Sequence, residues 1–314
     1  MTTTTGTVLR SLAALTGAGL AGVAYAGLVE RNWFALRAAT VPVLPPGAAS
    51  VRVLQVSDLH LLPRQERKIQ WVRQLASLAP DFVVNSGDNL AHVDALPALL
   101  RAMEPLMELP GAFVLGSNDR FAPVPKNPAL YLTSKHAEPP RATRADLPVG
   151  ELVDGLRAGG WSDLDNARTT VTIGPHRVEL VGVDDLHIDR DRYAEVSRPA
   201  ATDVALTMGL VHAPYQRVLD SMTADGAGLV LAGHTHGGQL ALPLYGALVT
   251  NCDLDRRRAK GVSRWWPGAG SARPSAAPER SAYLHVSAGL GTSPYAPVRF
   301  ACRPEATLLT LVAR

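Results

Sequence analysis

Cysteine is almost missing from this chain: Cys252 and Cys302 are the only two among 314 residues. Two thiols cannot build a disulfide scaffold or a four-thiolate metal site, and neither belongs to a Cys-x-x-Cys pair. Both therefore read as small apolar fillers. A strong charge bias is missing as well. Lys and Arg total 31 against 28 Asp and Glu, a formal net charge of +3. No basic stripe stands out, which argues against nucleic acid as a partner. Aromatic residues are sparse at 5%, yet 46% of the chain is hydrophobic. That is enough apolar surface to offset ordering entropy, so disorder is excluded as the main state.

The long uncharged run lies at the front, where Ser11–Val29 covers 19 residues between Arg10 and Glu30. As a helix it would extend about 28 Å, close to the ~30 Å of bilayer hydrocarbon. This predicts an N-terminal hydrophobic helix within residues 1–30, acting as an uncleaved single-pass membrane anchor. A cleavable signal is the first alternative, because Ala24-Tyr25-Ala26 has the small-x-small form of a cleavage site, and a buried soluble helix is the second. The flanking charges are too even to choose a membrane face. Residues 31–50, which end in a Pro- and Gly-bearing stretch, read as a linker, and 51–314 as the functional domain.

Within that domain, short apolar strands are predicted at Val51–Val56, Phe82–Asn85 and Ala112–Leu115. Helical stripes separate them: Ile69, Val72, Leu75 and Leu78 first, then Leu96, Leu99, Leu100 and Met103. Strand–helix alternation predicts an α/β fold with parallel strands, whose ligand site lies beyond the carboxyl ends of the strands. Three polar clusters fall there: Asp58-Leu59-His60, Gly87-Asp88-Asn89 and Gly116-Ser117-Asn118-Asp119. Later strands over 205–211 and 229–232 end at His212 and at Gly233-His234-Thr235-His236-Gly237-Gly238. Residues 121–150, with six prolines, read as a loop or cap. Residues 264–281 read as a mobile loop, with Trp265 and Trp266 beside it in a surface patch or, if the domain faces lipid, at a membrane interface.

The chemistry lies in the joint order. His234 and His236 are alternate residues, which share one face of an extended segment, and Gly237-Gly238 permits close backbone approach. Asp58, His60, Asp88, Asn118, His212, His234 and His236 supply carboxylate, amide and imidazole groups, each just past a strand. Such donors suit Mn, Fe or Zn, and the lack of thiolates disfavours structural zinc. So many ligands exceed what one ion accepts when water must also bind. Two ions sharing one carboxylate fit the count.

The five blocks from Asp58 to His236 resemble the calcineurin-like metallophosphoesterase superfamily over residues 51–240, and the ending SAGLGTSPYAPVRFACRPEATLLTL is similar to that of its bacterial membrane-anchored branch. The resemblance implies a four-layer α/β/β/α sandwich. It implies one divalent ion held by Asp58, His60, Asp88 and His236, and a second by Asp88, Asn118, His212 and His234. A hydroxide between the ions would attack phosphorus in line, hydrolysing a phosphodiester or a pyrophosphate. An anchor would make a lipid-linked phosphate ester a suitable substrate.

The third block departs from the family's usual Gly-Asn-His-Asp. Without a gap, Ser117 falls at the asparagine and Asn118 at the histidine. Asn118 is the favoured ligand because an amide oxygen binds better than a neutral hydroxyl, with Ser117 the alternative. The displaced histidine protonates the leaving oxygen or steadies the phosphoryl group in the family. His92, four residues past Asp88, is the best-placed substitute, followed by His187 and His285, and otherwise water. The expected catalytic set is thus Asp88, His92 and Asn118. Arg299, after Gly289-Leu290-Gly291, is the expected substrate-binding contact to phosphate. The altered block also motivates a rival expectation: a relative without catalysis, acting as a metal-binding, membrane-attached binding protein.

Overall fold

A computed structural model describes residues 2–125 and 144–314, so most of the loop or cap expected over 121–150 lies outside the described residues. The elements run α1 (Thr2–Ala24), β1 (Ala35–Leu44), β2 (Val51–Val56), α2 (Glu66–Gln74), β3 (Phe82–Asn85), α3 (Leu96–Met107) and β4 (Gly111–Phe113). Then come α4 (Ser117–Arg120), α5 (Val149–Ala158), β5 (Ser162–Asp163), β6 (Ala167–Ile173), β7 (His176–Gly182) and α6 (Tyr193–Val196). The chain continues through β8 (Leu206–Leu210), α7 (Gln216–Ala224), β9 (Leu229–Ala232), β10 (Ala241–Leu242) and β11 (Gly246–Ala247). It closes with β12 (Gly261–Trp265), β13 (Ala282–Val286) and β14 (Glu305–Ala313).

Two mixed six-stranded sheets result, ordered β1-β14-β2-β3-β4-β5 and β12-β13-β9-β8-β7-β6. Strands β2 to β5 run parallel, as do β13, β9, β8 and β7. Their central strands are apolar on both faces, and successive residues enter different layers. Leu54, Val83 and Phe113 pack under α2, α3 and α5, against Ile69, Val72, Leu99, Met103 and Leu152. Val53, Val84 and Ala112 face the other way and meet Leu180, Met208, Leu210 and Leu231 between the sheets. Val181, Val211 and Val230 lie on the outer face of the second sheet beneath Val218, Leu219 and Met222 of α7. This is the four-layer sandwich implied by the resemblance.

Three expectations need correction. The 19-residue uncharged run does not act as one unit. Its last part, Tyr25–Val29, forms a π-helical turn docked on the domain. There Ala26 O accepts from Arg299 N (3.1 Å) and the Tyr25 ring meets Phe300 edge-on at 6.3 Å. Buried Glu30 accepts from the backbone N–H groups of Ala301 and Cys302 at 3.1 and 2.6 Å. Ser11–Ala24, the part of the uncharged run that lies in α1, accounts for about 21 Å of helix, short of the hydrocarbon core. Among the described residues no helix is long and apolar enough to cross a membrane, so a membrane-spanning anchor is not supported.

The linker expected over 31–50 contains β1, which pairs in parallel with β14 along its length. The prolines hid this strand, although Pro42 is tolerated because β1 is an edge strand. Val41, Val43 and Leu44 are buried between the sheets. Trp265 and Trp266 do not form a surface patch. Trp265 ends β12 fully buried, its Nε1–H donating to Asp220 Oδ1 at 2.9 Å, and Trp266 packs on the same cluster.

Candidate metal centre

The sheet registers bring the polar clusters together. Val56 pairs with Asn85 and Asn85 with Phe113, so Asp58, Asp88 and the 116–119 turn leave adjacent strand ends. In the other sheet Leu210 pairs with Leu231, which sets His212 beside His234 and His236. Asp58, His60, Asp88, His234 and His236 all hold positive φ, at 48°, 40°, 56°, 68° and 51°. Left-handed backbone at non-glycine residues costs about 1–2 kcal/mol each and concentrates at functional sites, where the surrounding fold enforces it. Gly116 shows how tight the turn is: a Cβ there would collide with Asp88 Oδ1 and lie 2.7 Å from His212 Nε2.

The side chains converge. His60 Nε2 and His236 Nε2 stand 3.0 Å apart, and His236 Nε2 is 3.5 Å from Asp58 Oδ1. Asp88 Oδ2 lies 3.4 Å from His60 Nε2, after β2 of the first sheet, and 3.4 Å from His212 Nε2, after β8 of the second. Two groups, Asp58-His60-His236 and Asp58-Asp88-His212, have ligand atoms all within 4.8 Å of one another. His212 Nδ1 engages Ser86 O at 2.8 Å, leaving its Nε2 without a hydrogen-bond partner among the described residues. His234 Nε2 engages Asn251 O at 3.1 Å, so Nδ1 is the nitrogen left for ligation, and its ring lies 5.2 Å from that of His212.

Buried imidazole nitrogens facing one another need a proton or a cation between them. Divalent cations fit this set of carboxylates and imidazoles.

The electrostatics of His60, His234 and Asp58 agree with ligation. Burial drags His60 down to about 4 and His234 to about 3, which keeps both neutral with a lone pair to offer. Burial pushes the Asp58 carboxyl up, but the hydrogen bond and charge of His236 overcome it and bring the group to about 2. Burial likewise opposes ionisation of both Asp88 and His212. Their mutual attraction wins, holding Asp88 well below and His212 well above its ordinary value.

Asn118 reaches the shared carboxylate as a donor. Its backbone N–H donates to Asp88 Oδ1 and its Nδ2 to Oδ2, both at 2.8 Å, while its Oδ1 accepts from Arg144 Nη2 at 3.3 Å. Ligation through that oxygen requires the amide to turn over and release Arg144. Ser117 Oγ lies 3.5 Å from the same amide nitrogen. Two groups escaped the sequence reading. Asp119 closes the turn by accepting from the N–H groups of Asp88, Asn89 and Gly116 at 2.8, 2.7 and 3.0 Å. Its position at the end of the third block was the available signal. Arg144 had none, since tertiary contact alone brings it to Asn118.

Of the three substitute histidines, His187 is the one brought near the site, its ring 4.6 Å from that of His234 and its Nδ1 3.0 Å from Tyr215 OH. His285 is buried in β13 on Gln55 Oε1 at 2.7 Å. His92 is not a catalytic neighbour. It is an exposed N-cap whose Nδ1 accepts from Asp94 N at 3.1 Å. Its distance in sequence from Asp88 was misleading because the chain turns outward after β3. His92→Ala is expected to leave turnover unchanged and to lower stability by about 0.5–1 kcal/mol, read by urea unfolding beside steady-state kinetics.

Arg299 is also corrected. It is 0% exposed, and its Nη2 donates to Ala288, Gly289 and Gly291 carbonyls at 2.7, 3.2 and 2.7 Å. Its Nη1 donates to His236 O and Cys302 O at 3.3 and 3.4 Å. No face of the guanidinium is open to a phosphate. It holds His236 and the 288–291 loop in place.

Comparison with known proteins agrees with this geometry. The model of the calcineurin-like phosphoesterase family matches residues 51–238. Phosphodiesterase YaeI of Escherichia coli K12 is 27% identical over 307 residues, covering 95% of this chain and 96% of that protein. The metallophosphoesterase YkuE of Bacillus subtilis 168 is 25% identical over 303 residues, covering 95% of this chain and 92% of its own. A Bos taurus protein named "Transmembrane protein with metallophosphoesterase domain" is 27% identical over 220 residues, 64% of this chain and 44% of that protein. The matched segment spans every strand end that carries the aspartate and histidine cluster, and the chain belongs to the calcineurin-like phosphoesterase family, as a metal-dependent phosphoric ester hydrolase.

Proposed function

We propose that this protein hydrolyses a phosphodiester or pyrophosphate bond at a two-ion centre formed by Asp58, His60, Asp88, His212, His234 and His236. The observation that carries the reading is Asp88, whose Oδ2 stands 3.4 Å from a histidine of each side. Divalent ions bound there supply Lewis acidity to phosphoryl oxygens and bring the pKa of water toward neutrality. Asp58 and Asp88 contribute the negative charge that retains cations in a buried site. The neutral His60 and His234 add donors without adding charge.

Asn118 steadies both oxygens of Asp88 and aligns the carboxylate. Arg144, bonded to Asn118 Oδ1, holds that amide with its nitrogen turned toward Asp88. Asn118 has no acidic proton to give a leaving oxygen, so substrates with stable leaving groups are favoured: pyrophosphates and activated diesters over alkyl monoesters. The lipid-linked substrate loses its premise along with the anchor, and the reading stops at the phosphate-ester class.

The test uses protein stripped with EDTA and reloaded with Mn²⁺ or Zn²⁺. It is assayed on bis(p-nitrophenyl) phosphate, a nucleoside-diphosphate sugar and an alkyl monoester. Metal-restored cleavage of the diester or pyrophosphate, with the monoester at least about tenfold slower, is the expected result. Two bound ions with no turnover of any ester would return the binding-protein alternative.

A further inference from the structure

Three neighbouring parallel strands of the second sheet end side by side. Gly182 of β7 pairs with Leu210 of β8, and Leu210 with Leu231 of β9. Three residues beyond Gly182 comes Asp185, two beyond Leu210 comes His212, and three beyond Leu231 comes His234. The two histidines belong to the metal centre. Asp185 occupies the corresponding place on the next strand and has so far been given no role.

Its environment is unusual. Asp185 is 0% exposed, and its Oδ1 accepts from His187 N at 2.9 Å. Its Oδ2 is buried with no hydrogen-bond partner among the described residues. The neighbouring Asp184 makes the contrast: Arg120 and Arg190 both donate to its Oδ2, at 2.9 and 2.8 Å. The arginines of this loop therefore compensate Asp184, and neither Arg120 nor Arg190 is bonded to Asp185. The charges of His212 and Asp88 both act on the Asp185 carboxylate. His187, which it holds by the backbone, packs its ring 4.6 Å from His234. A buried carboxylate oxygen without a partner is strongly unfavourable unless a cation meets it.

We propose that Asp185 Oδ2 is an oxygen donor to the second cation, the one held by Asp88, His212 and His234. This assignment rests on the two-ion reading above. It also accounts for the third block: serine at 117 offers a weaker oxygen donor at one strand end than an amide would, and Asp185 supplies a carboxylate oxygen from another.

The test compares wild-type protein with Asp185→Asn at fixed pH 8, by Mn²⁺ calorimetry on metal-free protein and by thermal unfolding with and without Mn²⁺. Asparagine retains an acceptor for His187 N and removes the charge. The first ion is expected to bind as in wild type and the second at least about tenfold more weakly. Without metal the variant should melt higher than wild type, because the desolvation cost of a buried carboxylate is gone. With saturating Mn²⁺ it should gain less, so the order reverses or the gap closes.

Asp185→Ser, whose hydroxyl can also accept from His187 N, serves as a second variant. Two ions of wild-type affinity in either variant overturn the assignment while leaving the two-ion reading intact. A wild-type protein that binds a single ion overturns both. Failure of both variants to fold without metal overturns the assignment as well, since that result makes the charge a structural requirement.

Discussion

Asp88→Ala is expected to lower kcat/KM for phosphodiester hydrolysis by about three orders of magnitude, or roughly 4 kcal/mol of transition-state stabilisation. Asp88 Oδ2 stands 3.4 Å from both His60 Nε2 and His212 Nε2, so on the proposed two-ion reading its loss would weaken both ion positions together. The substitution also strips Asn118 of the acceptors for its backbone N–H and its Nδ2, leaving two donors unpaired. Asp88→Asn separates the effects. It retains the size and much of the hydrogen bonding, and it should fold normally while remaining inactive. Steady-state hydrolysis of bis(p-nitrophenyl) phosphate, with metal content measured on the same samples, checks both variants. More than a tenth of wild-type activity in Asp88→Asn, with two ions still bound, would refute the bridging role.

Arg299→Ala is expected to cost about 3–5 kcal/mol of stability, read as a lower urea midpoint. The guanidinium donates to five buried carbonyls drawn from the 236–238 turn, the 288–291 loop and Cys302. Removing it leaves those oxygens unsatisfied inside the protein. Lysine should not rescue the loss, because a single ammonium cannot span carbonyls on both sides as a planar fork does. A phosphate-binding arginine behaves in the opposite way, raising KM with little change in stability. An Arg299→Ala protein as stable as wild type but with a raised KM would restore the substrate contact expected from the sequence.

These two residues show where sequence reading succeeds and where it stops. Asp88 was legible because a polar residue directly after a buried parallel strand must emerge at the carboxyl edge of the sheet. Asp58, His212, His234 and His236 were legible for the same reason. Arg299 also follows a glycine-bearing turn near that edge, but its function depends on which way the side chain points. It turns inward, where carbonyls from three segments meet. His92 failed differently: closeness to Asp88 along the chain is lost within one turn, and the side chain caps a surface helix instead.

At the front of the chain, hydropathy measured the run from Ser11 to Val29 correctly but could not divide it. Its last five residues are committed to the domain by contacts with Arg299 and Phe300, more than 260 positions away. Strand β1 was hidden by the same kind of distance, since its partner β14 ends the chain. The third block divides the lesson within four residues. Its place at the site was readable from Gly116 and Asp119, whereas the orientation of Asn118 emerged only with Arg144 beside it.

The sequence by itself determined the α/β class, the strand ends that bear chemistry and the donor types gathered there, because these follow from local periodicity and from the geometry of a parallel strand. Tertiary structure alone decided which arginine faces inward, how the N-terminal run divides, and which buried carboxylates lack a partner. Those outcomes depend on the balance of desolvation against pairing between segments far apart in the chain, and no local pattern encodes that balance.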